Sequence, residues 1–291
     1  MNINYKCKLI TPLIISGAKK EEVELREQSL KGMLRWWFRF YKGATLSLRD
    51  LKDSEEKIWG SQNFASRVRI FIKNKNLSYQ INKKDYYAYL CMNDRRGRYS
   101  NIKRKAFVEG QEFVINFKIF PSFDLNINKE LEKTLFFLSN FGGLGARWRR
   151  GFGSIMIDKF NPKGNNLKEI AENLKKEINR SVGSENNQGF INLSNTCIYL
   201  ISKKGFWKSW EEAMDDLREN FYRNLKNNLK LREIAIYGER KVSPLIIQIK
   251  NLNSNYYGVV LAWKEWEKWK LFSKFIGEII KLNYELMEVK I

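Results

Sequence analysis

The apolar residues of this chain change their spacing in the same order twice, and that order limits the folds open to it. Ile3, Tyr5, Cys7 and Leu9 alternate with polar residues, the period of a half-buried strand. Pro12 ends that strand. A turn around Gly17 and a charged stretch then lead to a helix running to about Lys42, with Ser29 expected as its N-cap. Period-two spacing returns at Val68, Ile70 and Ile72, and again at Phe113, Ile115, Phe117 and Ile119, with an apolar run at Tyr86 to Met92 between them. A helix is expected over Lys129 to Phe141 and a strand over Ser154 to Phe160. This is β-α-β-β-α-β, the split βαβ or ferredoxin-like order, whose helices cover one sheet face and leave the other free.

The second half nearly repeats the first. Ile191 to Ser202 reads as a strand, and Ser209 to Glu212 as a capping box opening a helix with Leu217, Phe221, Leu225 and Leu229 on one stripe. Strands follow over Pro244 to Ile249 and Tyr257 to Trp263. A last helix is expected from about Trp266 to Met287, burying Phe272, Phe275, Ile276, Ile279 and Leu286. Between the halves, residues 161–189 are rich in asparagine and glycine around a short charged helix, Leu167 to Asn179. The expected fold class is therefore α+β: two tandem ferredoxin-like (RRM-like, split βαβ) domains, 1–160 and 190–291, joined by a linker over 161–189.

Composition narrows the partners. The chain carries 53 Lys and Arg against 32 Asp and Glu, a formal charge of +21. A surface of that sign gains affinity for a polyanion by releasing counterions from its phosphates. The N-terminal residues have neither the charged nor the apolar region of a signal peptide, and no apolar run is long enough to span a bilayer, so a cytoplasmic protein is expected. Histidine is absent. That removes Ser-His-Asp, Cys-His and His-metal chemistry. Cys7, Cys91 and Cys197 form no C-x-x-C pair. Neither a metal nor a cofactor nor a small-molecule substrate is expected.

The stretch Gly142-Gly143-Leu144-Gly145-Ala146-Arg147-Trp148-Arg149-Arg150-Gly151-Phe152-Gly153 suits a nucleic-acid backbone best. Gly142, Gly143, Gly145, Gly151 and Gly153 permit close backbone approach. Arg147, Arg149 and Arg150 supply planar forks that match phosphate, and the aromatics offer faces on which bases stack. The loop follows a helix and precedes a strand, the reverse of the dinucleotide-binding context, and no Gly-Lys-Ser/Thr closes it as a P-loop. On the first helix, Lys31, Arg35, Arg39 and Lys42 form a basic stripe beside an apolar face of Leu30, Met33, Leu34, Trp37 and Tyr41. Such a stripe is either solvated or, for Lys31, Arg35 and Arg39, in contact with RNA. Arg240 and Lys241 precede a buried strand, and a basic loop over 94–105 could clamp a strand of nucleic acid. The acids Asp50, Asp53, Glu55 and Glu56 read as a solvated polar connection, and Asp215 and Asp216 as helix-dipole charge. No catalytic carboxylate pair stands out.

Three segments carry a family resemblance. Leu9 to Ala18, then Glu24-Leu25-Arg26 leading into Ser29-Leu30-Lys31-Gly32-Met33-Leu34-Arg35-Trp36-Trp37, resembles the opening of the RAMP superfamily of CRISPR proteins. Gly142 to Gly153 is similar to that superfamily's signature loop. Together with Arg240-Lys241-Val242-Ser243-Pro244-Leu245, the opening is most like the first-subunit group of type III-B (Cmr) effector complexes. The resemblance implies two ferredoxin-like domains and a non-catalytic role in antiviral defence. It implies a subunit at the end distant from the crRNA tag, with crRNA, target RNA and other Cmr subunits as partners. It implies RNA contact through Lys31, Arg35, Arg39, Arg147, Arg149, Arg150 and Arg240, with Lys241 beside it. Two alternatives remain open on the residues: a metal-independent CRISPR RNA-processing endoribonuclease, and a protein of anionic membranes.

Overall fold

In the first half, alternation along the strands is matched by a sheet with one covered face. The structure, a computed structural model, describes residues 1–17, 19, 22–81, 105–121, 126–179, 190–227, 244–280 and 284–290. The first half contains β1 (Asn2–Leu9), α1 (Glu27–Lys42), α2 (Leu48–Trp59), β2 (Val68–Lys73), β3 (Tyr79–Ile81), β4 (Lys105–Phe107), β5 (Glu112–Ile119), α3 (Ile127–Phe141) and β6 (Ile155–Ile157). The main sheet has the order β2-β5-β1-β6, every pair antiparallel, which is the ferredoxin-like order; β3 and β4 form a separate ribbon. Tyr5, Cys7, Leu9, Phe113, Ile115 and Phe117 point to α1 and α3 and are buried. Their polar neighbours Asn4, Lys6 and Lys118 face outward, exposed. The aromatics of α1 are mostly core: Trp37, Phe38, Phe40 and Tyr41 are buried, with Tyr41 stacked on Phe137 at 5.5 Å.

Two local expectations need correction. Helix α1 starts before Ser29: its N-cap is Arg26, without a side-chain cap bond, and Glu27 supplies the acid of the first turn. The connection that holds Asp50, Asp53, Glu55 and Glu56 is a helix, α2, capped by Ser47, whose Oγ accepts from the Asp50 N–H at 3.1 Å. Glu55 faces inward with Leu51, Ile58 and Trp59 and is buried. The apolar run at Tyr86 to Met92 and most of the basic loop lie outside the described residues.

The second half contains α4 (Leu167–Asn179), β7 (Thr196–Ser202), α5, β8 (Leu245–Leu252), β9 (Asn255–Trp263), α6 and β10 (Glu285–Val289). Helix α5 runs as Trp210–Asp216, continues through a π-helical turn at Leu217–Tyr222 and ends as Arg223–Asn227; α6 runs as Trp269–Phe275 and then Ile276–Ile280. Ser209 caps α5 as expected, its Oγ accepting from the Glu212 N–H at 3.1 Å. The sheet order is β10-β7-β9-β8, again antiparallel and ferredoxin-like. The expected long final helix is wrong at its end: Leu286 lies in β10, which completes β-α-β-β-α-β.

The second sheet differs from the first in being covered on both faces. Tyr199, Ile201, Ile247, Ile249 and Val260 pack on α5 and α6. Ile198, Leu200, Ile246, Val259 and Leu261 pack on α4 and join the core of the first half. Strands buried on both faces read as continuous apolar runs, whereas strands with one wet face alternate. That is why Leu245-Ile246-Ile247 and Val259-Val260-Leu261-Ala262 lack the alternation seen in β1 and β5.

Candidate nucleic-acid interface

The glycine-arginine loop joins α3 to β6 and sits where the two halves meet. Its backbone is held by the segment after β1. The Ile10 N–H donates to Ser154 O (2.8 Å), the Gly153 N–H to Pro12 O (2.9 Å) and the Ala146 N–H to Ile14 O (2.6 Å). The buried Thr11 hydroxyl donates to Gly151 O (2.7 Å) and accepts from the Ser154 N–H (2.9 Å). The sequence motif Leu9 to Ala18 and the glycine loop are thus two sides of one structure. On its other side the loop runs beside β8, the edge of the second sheet. Arg150 bridges in parallel to Ile247, and the Ile247 N–H donates to Arg149 O (3.0 Å). The Gln248 amide nitrogen donates to Trp148 O. Leu144 belongs to the first core and Phe152 to the second.

Such close packing leaves no room for a side chain at four of the loop's glycines. Gly145 (φ +75°) and Gly153 (φ +61°) adopt left-handed conformations, and a Cβ on either would overlap the carbonyl oxygen of Ile14 or of Leu144. A Cβ at Gly142 would stand 2.5 Å from Trp37 Nε1, and at Gly143 2.9 Å from Gly153 O. The loop is a packed junction with its arginines half-buried along one side.

Two of the three arginines lie against aromatic faces. The Arg149 guanidinium is 5.2 Å from the Trp148 ring centre and 5.8 Å from that of Trp36 on α1. Burial, and then the neighbouring Arg150 charge, lower its pKa, yet no carboxylate pairs with it among the described residues. Arg150 lies 5.6 Å from the Tyr222 ring. Arg147 holds a left-handed turn (φ +61°) in which the Arg150 N–H donates to Arg147 O. Trp148 packs edge-on against Trp36 at 5.3 Å, so loop and helix form one surface.

The basic stripe of α1 occupies a different flank of the helix. Arg35 Nε and Arg39 Nη1 both donate to Glu55 Oε1, at 2.6 and 2.7 Å. Lys42 pairs with Glu130 at 3.0 Å, and Lys31 Nζ donates to Ser66 Oγ at 3.0 Å. Only 8% of the Glu55 side chain is exposed, while the two arginines keep 35% and 40%. One buried carboxylate therefore orders two cations and neutralises half their charge. Glu55 carries no mark of this role in the sequence, where it is one of four acids in a stretch that reads as a solvated connection. Gly32 lies between this stripe and Trp36 on the helix surface, exposed, with nothing among the described residues within 4 Å of where a Cβ would be. Arg240 and Lys241 lie outside the described residues.

A lysine joins the two halves behind the loop. Lys250, on β8, is 3% exposed; its ammonium donates to Gly142 O (2.7 Å) and Ile155 O (3.2 Å). Burial drives its pKa well below the usual lysine value. Among the described residues no group of three or more His, Cys, Asp or Glu could hold a metal ion, and no helix is long and apolar enough to cross a membrane.

Two antiparallel sheets of ferredoxin-like order, joined through a glycine-rich loop that follows the last helix of the first, define a class. The chain belongs to the RAMP superfamily, which it matches over residues 6–156. Among curated relatives it is similar to the Cmr subunit Cmr1-2 of Pyrococcus furiosus, with 31% identity covering 53% of this chain and 93% of the relative. It is also similar to Cmr1-1 of the same organism, with 23% identity covering 84% of this chain and 81% of the relative. The crystal structure of apo Cmr1 from Pyrococcus furiosus has the same fold, with a TM-score of 0.70 at 19% identity over 99% of this chain and 98% of that one. A chain of the type III-B Cmr-beta complex bound to cognate target RNA superposes with a TM-score of 0.58 at 14% identity, over 89% of this chain and 94% of that one.

Proposed function

We propose that this chain is the Cmr1-type subunit of a type III-B CRISPR effector complex. In that role it holds guide and target RNA without cutting them, at the end distant from the crRNA tag. The partners are crRNA, target RNA and other Cmr subunits; in support, its curated relatives are Cmr subunits and a solved complex with a similar chain is bound to cognate target RNA. One observation carries the RNA reading. Arg149 is held desolvated against Trp36 and Trp148, beside Arg147 and Arg150, with no carboxylate paired to it among the described residues. A half-buried cation in that setting favours an incoming phosphate. The exposed Gly32 beside Trp36 supports the same surface. Glycine inside a helix costs about 1 kcal/mol relative to alanine, and no neighbour among the described residues requires it. A phosphate backbone crossing α1 there would. Sequence would then be read by guide–target pairing and affinity supplied by phosphate contacts, by analogy with other RNA-guided systems.

Fluorescence anisotropy with single-stranded RNA across a salt series tests this. Replacing Arg147 and Arg150 with alanine removes two phosphate contacts. It should weaken binding by roughly tenfold and reduce the log–log salt slope by about 1.4. Unchanged affinity and slope would sink the loop assignment, and discrete cleavage of repeat RNA in chelator would overturn the non-catalytic reading. Gly32→Ala should raise thermal stability by up to about 1 kcal/mol while weakening RNA binding, the opposite signs that a ligand-approach glycine requires.

A further inference from the structure

The open face of the first sheet is basic and aromatic, and the loop reading leaves it unused. On β1, β2 and β5 this face carries the cations Lys6, Lys8, Arg69, Lys73 and Lys118, and the one acid of those strands is Glu112. Phe71 stands on it, 49% exposed, on the same side as Arg69 and Lys73. At the β2 edge a cleft of about 430 Å³ is lined by Lys57, Phe64, Ala65, Ser66, Arg67, Arg69 and Phe120, so among the described residues every charged group lining it is a cation. Arg69 and Lys118 lie over the same ring, that of Phe120, at 5.2 and 5.6 Å. Neither has a carboxylate partner among the described residues. Phe64 at the rim is 47% exposed.

The cleft is continuous with the helix stripe. Lys31 Nζ bonds the hydroxyl of Ser66, which lines the cleft, and Arg35 Nη1 bonds Gly60 O at the end of α2. Cations thus run from α1 around the β2 edge onto the open face. The glycine loop adjoins β6, the opposite edge of the same sheet. Three strand spacings separate those edges, roughly 15 Å.

We propose that this cleft and the adjoining sheet face are a second binding site for single-stranded RNA. A base stacks on Phe64 or Phe71, and a phosphate lies between Arg69 and Lys118. Two like charges gathered on one ring call for an anion between them, and sequence-tolerant stacking beside cations is the chemistry of single-strand binding. The inference rests on the RNA-binding reading above and extends it: one strand passes from the loop across α1 to the far edge of the sheet.

The test is anisotropy with labelled RNA of about 16 and about 4 nucleotides, the span of single-strand site sizes, on the full chain. Phe64→Ser combined with Arg69→Ser alters two exposed side chains, so the melting temperature should not move. The long RNA should bind about tenfold more weakly with a salt slope smaller by about 0.7, and the short RNA, held at the loop, should bind as before. Unchanged binding of the long RNA overturns the second site, as does loss of another Cmr subunit from this surface with RNA affinity intact. The Arg147→Ala, Arg150→Ala protein separates the two readings. If it loses RNA while the cleft variant does not, the cleft alone fails; if neither loses RNA, the functional reading fails with it.

Discussion

Gly153→Ala is expected to destabilise the protein by about 3–5 kcal/mol, the range reserved for strained or sterically blocked positions. The residue is pinned on three sides. Its N–H donates to Pro12 O, its carbonyl accepts from the Leu144 N–H at 2.8 Å, and a Cβ would overlap the Leu144 carbonyl oxygen. Its left-handed backbone adds a second cost for any L side chain. Relief would require moving either the segment after β1 or the loop itself, and the loop is tied to β8. In a thermal melt the shift should be roughly 10 °C downward. A loss under about 1 kcal/mol would show that the loop relaxes freely and is no junction.

Lys250→Met should remove a pH dependence of stability. In the unfolded chain this lysine keeps its proton up to about 10.5. In the folded protein burial makes it give up the proton at lower pH. Between those two values the unfolded state binds more protons, so stability rises with pH, by at most about 1.4 kcal/mol per unit. Below the lowered folded value the penalty for the buried charge is constant and at its largest. Methionine keeps the stem in place and carries no proton, so the stability of the natural protein minus that of the variant should rise with pH across this window; the buried Cys7 and Cys197 thiols, whose pKa burial raises, lower the stability of both proteins above about pH 9 and cancel in that difference. Lys31 and Lys133 shift the same way by burial in both proteins and cancel in the difference. Above pH 10 both should lose stability: Tyr5, pushed up to about 12 by burial and then by Glu132, stays protonated in the fold while the unfolded chain ionises. Urea denaturation at intervals from pH 7 to 10.5 measures the slopes. Parallel curves for the two proteins would show that Lys250 is not the desolvated group the geometry makes it.

The order of elements was legible because one-sided strands and amphipathic helices leave their periods in the sequence, as β1, β5, α1 and α3 do. Helix α2 was not, since the buried Glu55 occupies an inward position and interrupts its apolar stripe of Leu51, Ile58 and Trp59. Strand β10 was hidden for a related reason. Leu286 falls one heptad after Ile279, so it continues a helical spacing that the chain has already left. Of the candidate interface, residue types could be read but not their partners. Nothing local in the sequence says that Arg35 and Arg39 share one carboxylate, or that a lysine after an apolar strand reaches the carbonyls of Gly142 and Ile155. Those depend on contacts between residues 16 to 108 positions apart.

The unequal covering of the two sheets also orders the chain in time. The first half needs only its own α1 and α3 to bury its inner face, and it is synthesised first. The second half has apolar strands on both sides, so its sheet keeps one face bare until α4 and the first half close over it. Translation supplies the parts in that sequence. A nascent second half therefore meets a first half already synthesised, and the glycine loop is the part of it that its edge strand contacts.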